Sequence, residues 1–382
     1  MVPPVRGFVF VTVIFLCSLL YLVMLLFPAT VLLIPLVPRP VYVRARRAYR
    51  RWTGFVGYLF FAMAAYMLEH FCNTKVKITG DQVGYGEAAL IICNHRTRVD
   101  WMYLWCLCLR HGQLSDLKIV LKESLKAIPG FGWATQMLLF VFLARNKSKD
   151  IRRVREISEY LVGLNVPTTL LIFPEGTDLS PSNHQKSLQF AKKEGLAEYQ
   201  YVLHPKVRGF SECIQALRPG LDAVHDVTIA YHNYNGGGPP SEKSMLAGFF
   251  PPEVHMHVRR HSIKDLPTGD EQLQEWCRQA FHEKEARLKA FHEGPRLFDA
   301  AMEGWIDREE NEAYSRRSGL LALVYFLALV LLVLIYGGTI LTWYALLACC
   351  VCTVATACGG WDTCELWWAG FYSDNSVELK QE

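Results

Sequence analysis

A chain of 382 residues holds one or two domains, and 51 % apolar composition with a positive mean hydropathy points it toward the membrane. A formal net charge of +4 is mild; it suits contact with anionic lipid or substrate and speaks against a nucleic-acid-binding surface. The 12 cysteines show no spacing of a disulfide framework or a zinc site.

From the N-terminus, residues 8–37 are almost uninterruptedly apolar and carry no charge. The run exceeds the roughly 20 residues of a spanning helix and the roughly 7 to 15 of a cleavable signal core, so it is expected to stay as an anchor. Residues 52–71 are apolar and aromatic but include Gly54, Gly57, Glu69 and His70. Arg39, Arg44, Arg46, Arg47, Arg50 and Arg51 crowd the region before them, and Arg316 and Arg317 precede a second long apolar run, 319–358. By the positive-inside rule both basic clusters are cytosolic, which a crossing by 52–71 would contradict. That segment is therefore expected to lie in the cytosolic leaflet. Residues 319–358, with Gly337 and Gly338 near their middle, read as a two-helix hairpin. The expected organisation is a membrane anchor with an interfacial helix over 1–71, a cytosolic domain over 72–316, and a transmembrane hairpin with a short tail over 317–382.

Within 72–316, strand signals recur at 76–78, 88–93, 140–144, 168–173, 224–231 and 254–258. Helical stretches at 101–109, 150–164 and 271–291 separate most of them, which predicts an α/β fold, a mixed sheet flanked by helices. Two polar loops stand at strand ends, where such sheets carry chemistry. The first, NHRTRVD, sets His95 and Asp100 five positions apart. A purely structural account exists: Thr97 and Asp100 fit the spacing of a capping box at a helix start. A second His-x4-Asp, His111 and Asp116, falls in the polar stretch RHGQLSD and reads as solvated loop. The second motif loop, FPEGTD, combines a stiff Pro174, the Glu175 carboxylate, Gly176 with its freedom of φ, and the Thr177 hydroxyl. Lys118, Lys122 and Lys126 would stack on one face if their segment were helical, to meet coenzyme A phosphates, the membrane surface or only solvent. His255, His257 and His261 alternate as on a half-exposed strand face, and no metal is expected.

NHRTRVDW followed by FPEGTD resembles the glycerolipid acyltransferase family, whose members move a fatty acyl group from acyl-coenzyme A to a free hydroxyl of a lysophospholipid. PGFGWATQMLLFVFLAR, HQKSLQFAKKEGL, YVLHPKVRGF, LDAVHDVTIAY and LPTGDEQLQEWCRQAFHEKEARL extend the resemblance over about residues 70 to 295. The wording is most similar to the lysocardiolipin acyltransferase branch. The resemblance implies that His95 is a general base oriented by Asp100, that Glu175, Gly176 and Thr177 hold the acceptor's glycerol, and that Arg145 and Lys186 face its phosphate. It implies acyl-coenzyme A as co-substrate without a further cofactor, a lysophospholipid acceptor in the bilayer, and residence in the endoplasmic reticulum membrane or one associated with mitochondria. Asp178 stands where many lysophosphatidic acid acyltransferases have Arg, which favours acceptors such as lysocardiolipin, lysophosphatidylinositol or lysophosphatidylglycerol. Lysophosphatidic acid acylation is the alternative, followed by a non-catalytic lipid-binding protein and, more distantly, a thioester hydrolase.

Overall fold

The computed structural model describes residues 3–29, 39–144, 146–232, 239–298 and 308–378. Helix α1 (Pro3–Ala29) comes first, and α2 (Arg39–Tyr66) runs on into a π-helical turn, Met67–Phe71. Then follow β1 (Lys75–Gly80), β2 (Ala89–Cys93), α3 (Asp100–Arg110), β3 (Leu117–Lys122), α4 (Phe131–Met137), β4 (Val141–Leu143) and α5 (Lys147–Gly163). Next come β5 (Thr169–Ile172), α6 (Pro181–Glu194), α7 (Val207–Leu217), β6 (Ala223–His232), α8 (Glu242–Leu246), β7 (Glu253–Ser262) and α9 (Asp270–Glu293). Helices α10 (Arg308–Tyr336), α11 (Thr339–Ala357) and α12 (Trp361–Glu378) close the described chain.

The strands form one mixed sheet in the order β1-β7-β6-β2-β5-β3-β4. From β6 to β4 the strands are parallel, β7 is antiparallel to β6, and β1 is parallel to β7. Every predicted strand is present, with its ends moved by a few residues. Strand β3 corrects the expectation for the lysines. Residues 117–122 alternate Leu, Ile, Leu with Lys, Val, Lys, a period-two pattern rich in β-branched residues, and they fill the slot between β5 and β4. The lysines therefore do not stack on a helix. Lys118 is buried, which pushes its ammonium down to about 8. Lys126 lies in the short 3-10 turn after β3 and pairs with Asp362 of α12 at 2.8 Å.

Successive β2 side chains enter two different cores, as strand alternation requires. Leu90 and Ile92 pack with Ile157 of α5, Ile214 of α7 and Phe281 of α9. Ile91 and Cys93 join Leu104 and Leu107 of α3, Leu59 and Met63 of α2, and Tyr21 and Leu25 of α1 in one continuous apolar cluster. Each large side chain so buried contributes on the order of 1.5 to 3 kcal/mol of transfer free energy.

The stretch 52–71, expected as a separate interfacial helix, is the rear part of α2 and its π turn. Among the described residues three helical segments, Pro3–Leu26, Val41–Phe71 and Glu312–Ile335, are long and apolar enough to cross a membrane, and Thr342–Ala357 with Trp361–Gly370 would make a fourth only as one segment bent by 68°. The apolar window of the second is 61 % buried, against 33 % and 22 % for the other two; α2 is mostly covered by protein, whereas α1 and α10 turn Phe8, Phe15, Val324 and Leu334 outward. Helices α10 and α11, which fall in the stretch expected as a hairpin, are separated at Gly337 and Gly338. Residues beyond it, expected as a short tail, form α12 instead. Its Asp362 also pairs with Arg153 of α5, and Glu365 with Arg50 of α2 at 3.0 Å.

The order of connections places the site. From β2 the chain crosses to β3 on one side of the sheet, and from β5 it crosses to β6 on the other. The crevice beyond the carboxyl ends of β2 and β5 is thus a topological switch point, where open α/β sheets bind ligands. Both motif loops open into it.

Candidate active site

Strand β2 ends at Cys93, but Asn94 prolongs the pairing with β6: its side-chain amide donates to Ile229 O at 3.1 Å and its Oδ1 accepts from Ile229 N at 2.8 Å. The β2–β5 register, Leu90↔Leu170 and Ile92↔Ile172, projects His95 opposite Glu175. They meet there, with the His95 N–H donating to Glu175 Oε1 at 3.0 Å. The Leu179 N–H returns to His95 O at 2.8 Å, and the Phe173 ring stacks on the imidazole at 4.1 Å between centroids. The Glu175 carboxylate and the Leu179 amide therefore hold the His95 backbone on both sides.

The imidazole Nδ1 lies 2.9 Å from Asp100 Oδ2. Three further donors meet this buried carboxylate: Thr97 N at 2.8 Å on Oδ2, and Thr97 Oγ1 at 3.0 Å and Tyr231 Oη at 2.5 Å on Oδ1. A carboxylate only accepts, so the proton belongs on Nδ1 and the Nε2 lone pair is left for a substrate. The His95 side chain is 17 % exposed and Asp100 not at all, so one end of the pair is accessible and the other sealed. The capping account is half realised. The helix starts at Asp100 with Val99 as its cap; the Asp100 carboxylate turns back to Thr97, and Thr97 Oγ1 accepts from Val99 N at 3.2 Å.

The other His-x4-Asp is no solvated loop. His111 caps the end of α3, buried edge-on against His225 at 6.1 Å, and burial with that neighbour lowers its imidazole to about 3. The Asp116 carboxylate accepts from Ser115 Oγ at 3.0 Å.

In the FPEGTD loop the Gly176 N–H closes a turn on Phe173 O at 2.9 Å, with φ +73° at Gly176. A Cβ there would stand 2.6 Å from Lys206 Nζ, the far end of a side chain that can swing aside, so it is the positive φ that calls for glycine. Glu175 is turned inward and buried. Burial raises its carboxyl to about 8 despite amide donors from His95 and Leu203. The side chain expected to meet the acceptor's glycerol is instead an internal anchor for His95. Thr177 Oγ1 accepts from Asn183 Nδ2 at 2.8 Å. Lys186 is exposed on α6, three residues from Asn183 and so on the same helical face. Asp178 Oδ1 lies 3.8 Å from Arg98 Nε, an ion pair across the two loops. Arg145 lies outside the described residues. The sequence reading missed Asn94, Phe173, Asn183, Lys206 and Tyr231 as parts of the site.

The strand histidines are more enclosed than expected. His255 is buried against Phe291 and Phe298, His257 Nδ1 lies 3.1 Å from Thr79 Oγ1, and His261 meets Trp276 edge-on. His232, Glu253 and His255 bring one ligand atom each within 4.8 Å of the others, but the Lys77 ammonium already holds the Glu253 carboxylate at 3.1 Å.

The raised carboxyl of Glu175 has a measurable consequence. Between its ordinary value of 4.5 and about 8 the folded protein keeps a proton that the unfolded chain has released. Its contribution to stability is therefore full below pH 4.5 and is lost as pH rises through about 8. Denaturant midpoints of the detergent-solubilised protein are expected to fall more steeply over this window for wild type than for Glu175→Gln. Equal slopes would show that Glu175 is not held protonated.

Residues 75–232 match the protein-family model described as Acyltransferase, and 244–327 the one described as Acyltransferase C-terminus. The chain belongs to the glycerolipid acyltransferase family. It is 42 % identical over 297 residues to lysocardiolipin acyltransferase 1 of Danio rerio, covering 77 % of this chain and 75 % of the relative. It is 36 % identical over 231 residues to lysophosphatidylinositol acyltransferase 10 of Caenorhabditis elegans, covering 59 % and 58 %. The crystal structure of a 1-acyl-sn-glycerophosphate acyltransferase from Thermotoga maritima aligns over 75 % of this chain and 97 % of its own, at 19 % identity and a TM-score of 0.40.

Proposed function

We propose that this protein transfers a fatty acyl group from acyl-coenzyme A to the free hydroxyl of an anionic lysophospholipid. The observation that carries this reading is the sealed hydrogen bond from His95 to Asp100 at the carboxyl end of β2, with the opposite ring nitrogen free of hydrogen bonds among the described residues. The acceptor hydroxyl gives its proton to His95 Nε2 as its oxygen attacks the thioester carbonyl carbon. The tetrahedral intermediate collapses, the carbon–sulfur bond breaks, and the leaving thiolate takes the proton back from the imidazolium. Asp100 keeps the ring in one tautomer and stabilises its charged form. The substrate's own hydroxyl is the nucleophile, so no acyl-enzyme and no cofactor are required.

Arg145 and Lys186 face the acceptor's phosphate, and the Gly176–Thr177 end of the loop faces its glycerol. The domain of residues 72–316 works on the cytosolic side of the endoplasmic reticulum membrane, where the lysolipid is already dissolved, with α1 and the α10–α11 hairpin in the bilayer. The relatives whose names specify lysocardiolipin and lysophosphatidylinositol support a phosphodiester acceptor. So does Asp178, which sets a carboxylate against Arg98 beside the pair and makes the mouth less suited to a compact dianionic phosphate.

The test is a panel of lysophospholipids given to membranes containing the protein with labelled acyl-coenzyme A. Lysocardiolipin, lysophosphatidylinositol or lysophosphatidylglycerol is expected to be acylated about tenfold or more faster than lysophosphatidylcholine, and faster than lysophosphatidic acid. A panel led by lysophosphatidic acid would overturn the acceptor assignment. Release of free fatty acid without any acylated lipid would overturn acyl transfer.

A further inference from the structure

We infer that Tyr231 is a positioning residue for this reaction, its phenol fixing the Asp100 carboxylate that orients His95. The inference rests on the acyl-transfer reading above.

Tyr231 is the ninth residue of β6 and pairs with Val254 of β7, so the backbone ladder fixes its place better than a loop could. Val227, Ile229 and Tyr231 point alternately to the face covered by α3, where the Tyr231 ring meets Tyr103 edge-on at 5.6 Å. From there Oη reaches Asp100 Oδ1, across 131 residues of sequence. The other donors to Asp100 come from its own loop, Thr97 with two bonds and His95 with one. Tyr231 is thus the contact that ties the carboxylate to the sheet. It also divides the work between the oxygens: Oδ1 is held by two hydroxyls, which leaves the geometry of Oδ2 to His95 and the Thr97 amide.

A hydroxyl on Oδ1 also draws negative charge away from Oδ2. Without it the carboxylate binds the imidazolium more strongly. Asp100 acts electrostatically on Glu175 of the β5 loop and on Cys93 beneath, on which Lys284 of α9 and Asp226 of β6 also act through the sheet. Arg96 and Arg98 flank His95, and Asp178 stands opposite Arg98. All of them remain when only the phenolic oxygen is removed.

The experiment compares full-length wild type, Tyr231→Phe and His95→Ala in membranes at matched protein content, using a long-chain acyl-coenzyme A and lysophosphatidylinositol across pH. Tyr231→Phe is expected to lower kcat about tenfold to a hundredfold with both KM values unchanged, and to move the acid limb of the kcat profile upward. Fluorotyrosine incorporated at position 231, a stronger donor of nearly the same shape, is expected to move that limb downward without loss of folded protein. Active wild type, inactive His95→Ala and a Tyr231→Phe profile identical to wild type would overturn the role of Tyr231 alone. A lower kcat with an unmoved acid limb in both variants would also overturn it, since that is mere packing. Undiminished transfer by His95→Ala would overturn the acyl-transfer reading and this inference with it.

Discussion

His95→Ala is expected to reduce acyl transfer by about 10²- to 10⁴-fold, the range that a positioned general base contributes, while membrane insertion and folded content stay near wild type. The imidazole is partly exposed and leans on the Phe173 ring, so its loss leaves a surface dimple and no deep cavity. The His95 backbone bonds to Glu175 and Leu179 do not involve the side chain and survive the change. The loss is expected in kcat, with KM for both substrates near wild type, because proton transfer belongs to the transition state. His111→Ala makes the useful contrast. His111 is buried and kept neutral beside His225, so its removal is expected to lower the unfolding midpoint while leaving kcat per folded molecule unchanged. Radiolabelled product per folded enzyme, with circular dichroism on the same preparations, separates the two effects. If His111→Ala lost as much kcat as His95→Ala, the wrong histidine would have been chosen.

What the sequence made legible follows from the range over which each signal acts. The strands around His95 and Glu175 are short apolar runs ending in residues that cannot continue a strand, so the loops and their strand-end position were visible. Strand β3 was not, because LKIVLKESLKAI carries lysines at both helical and strand spacing and only the open slot between β5 and β4 decides between them. Helix α12 was lost for a related reason. Nothing in the sequence near Asp362 and Glu365 shows what holds them, since their partners Lys126, Arg153 and Arg50 lie more than 200 positions earlier. Tyr231 gave no signal of its own, since a tyrosine ending an apolar run is an ordinary strand residue. Its meaning comes from the β2–β6 register, which sequence periodicity does not contain. Glu175 was found by its motif but given the wrong neighbour. A carboxylate in a Pro-Glu-Gly turn is usually solvated, and only the β2–β5 register turns it under the His95 amide.

Asp100→Asn is expected to lower kcat nearly as far as His95→Ala and, unlike it, to destabilise the protein. The Asp100 carboxylate is buried with a donor on every side: His95 Nδ1 and Thr97 N at Oδ2, Thr97 Oγ1 and Tyr231 Oη at Oδ1. An amide of the same shape supplies one oxygen and one NH2, and whichever way it turns, the NH2 meets donors. With NH2 toward Oγ1 and Oη, the two hydroxyls lose their shared acceptor while Thr97 Oγ1 already accepts from Val99 N, and the neutral amide oxygen left toward His95 no longer offsets the charge of the imidazolium, so kcat falls in this orientation too. With NH2 toward Oδ2, the Thr97 amide has no recourse and the imidazole must place its lone pair on Nδ1, leaving the proton on Nε2, where a base is needed. Substituting Asn for the Asp of a serine protease triad costs about 10⁴-fold by this tautomer error, and each buried donor left unpaired costs about 1 to 3 kcal/mol. Asp100 acts on the reaction only through His95, so the two losses are not additive: His95→Ala with Asp100→Asn is expected to match His95→Ala alone in kcat while unfolding as early as Asp100→Asn. A double variant slower than His95→Ala by a further factor of about ten or more, at equal folded content, would mean that Asp100 contacts a substrate directly, and the pair could no longer be read as a base with its orienting carboxylate.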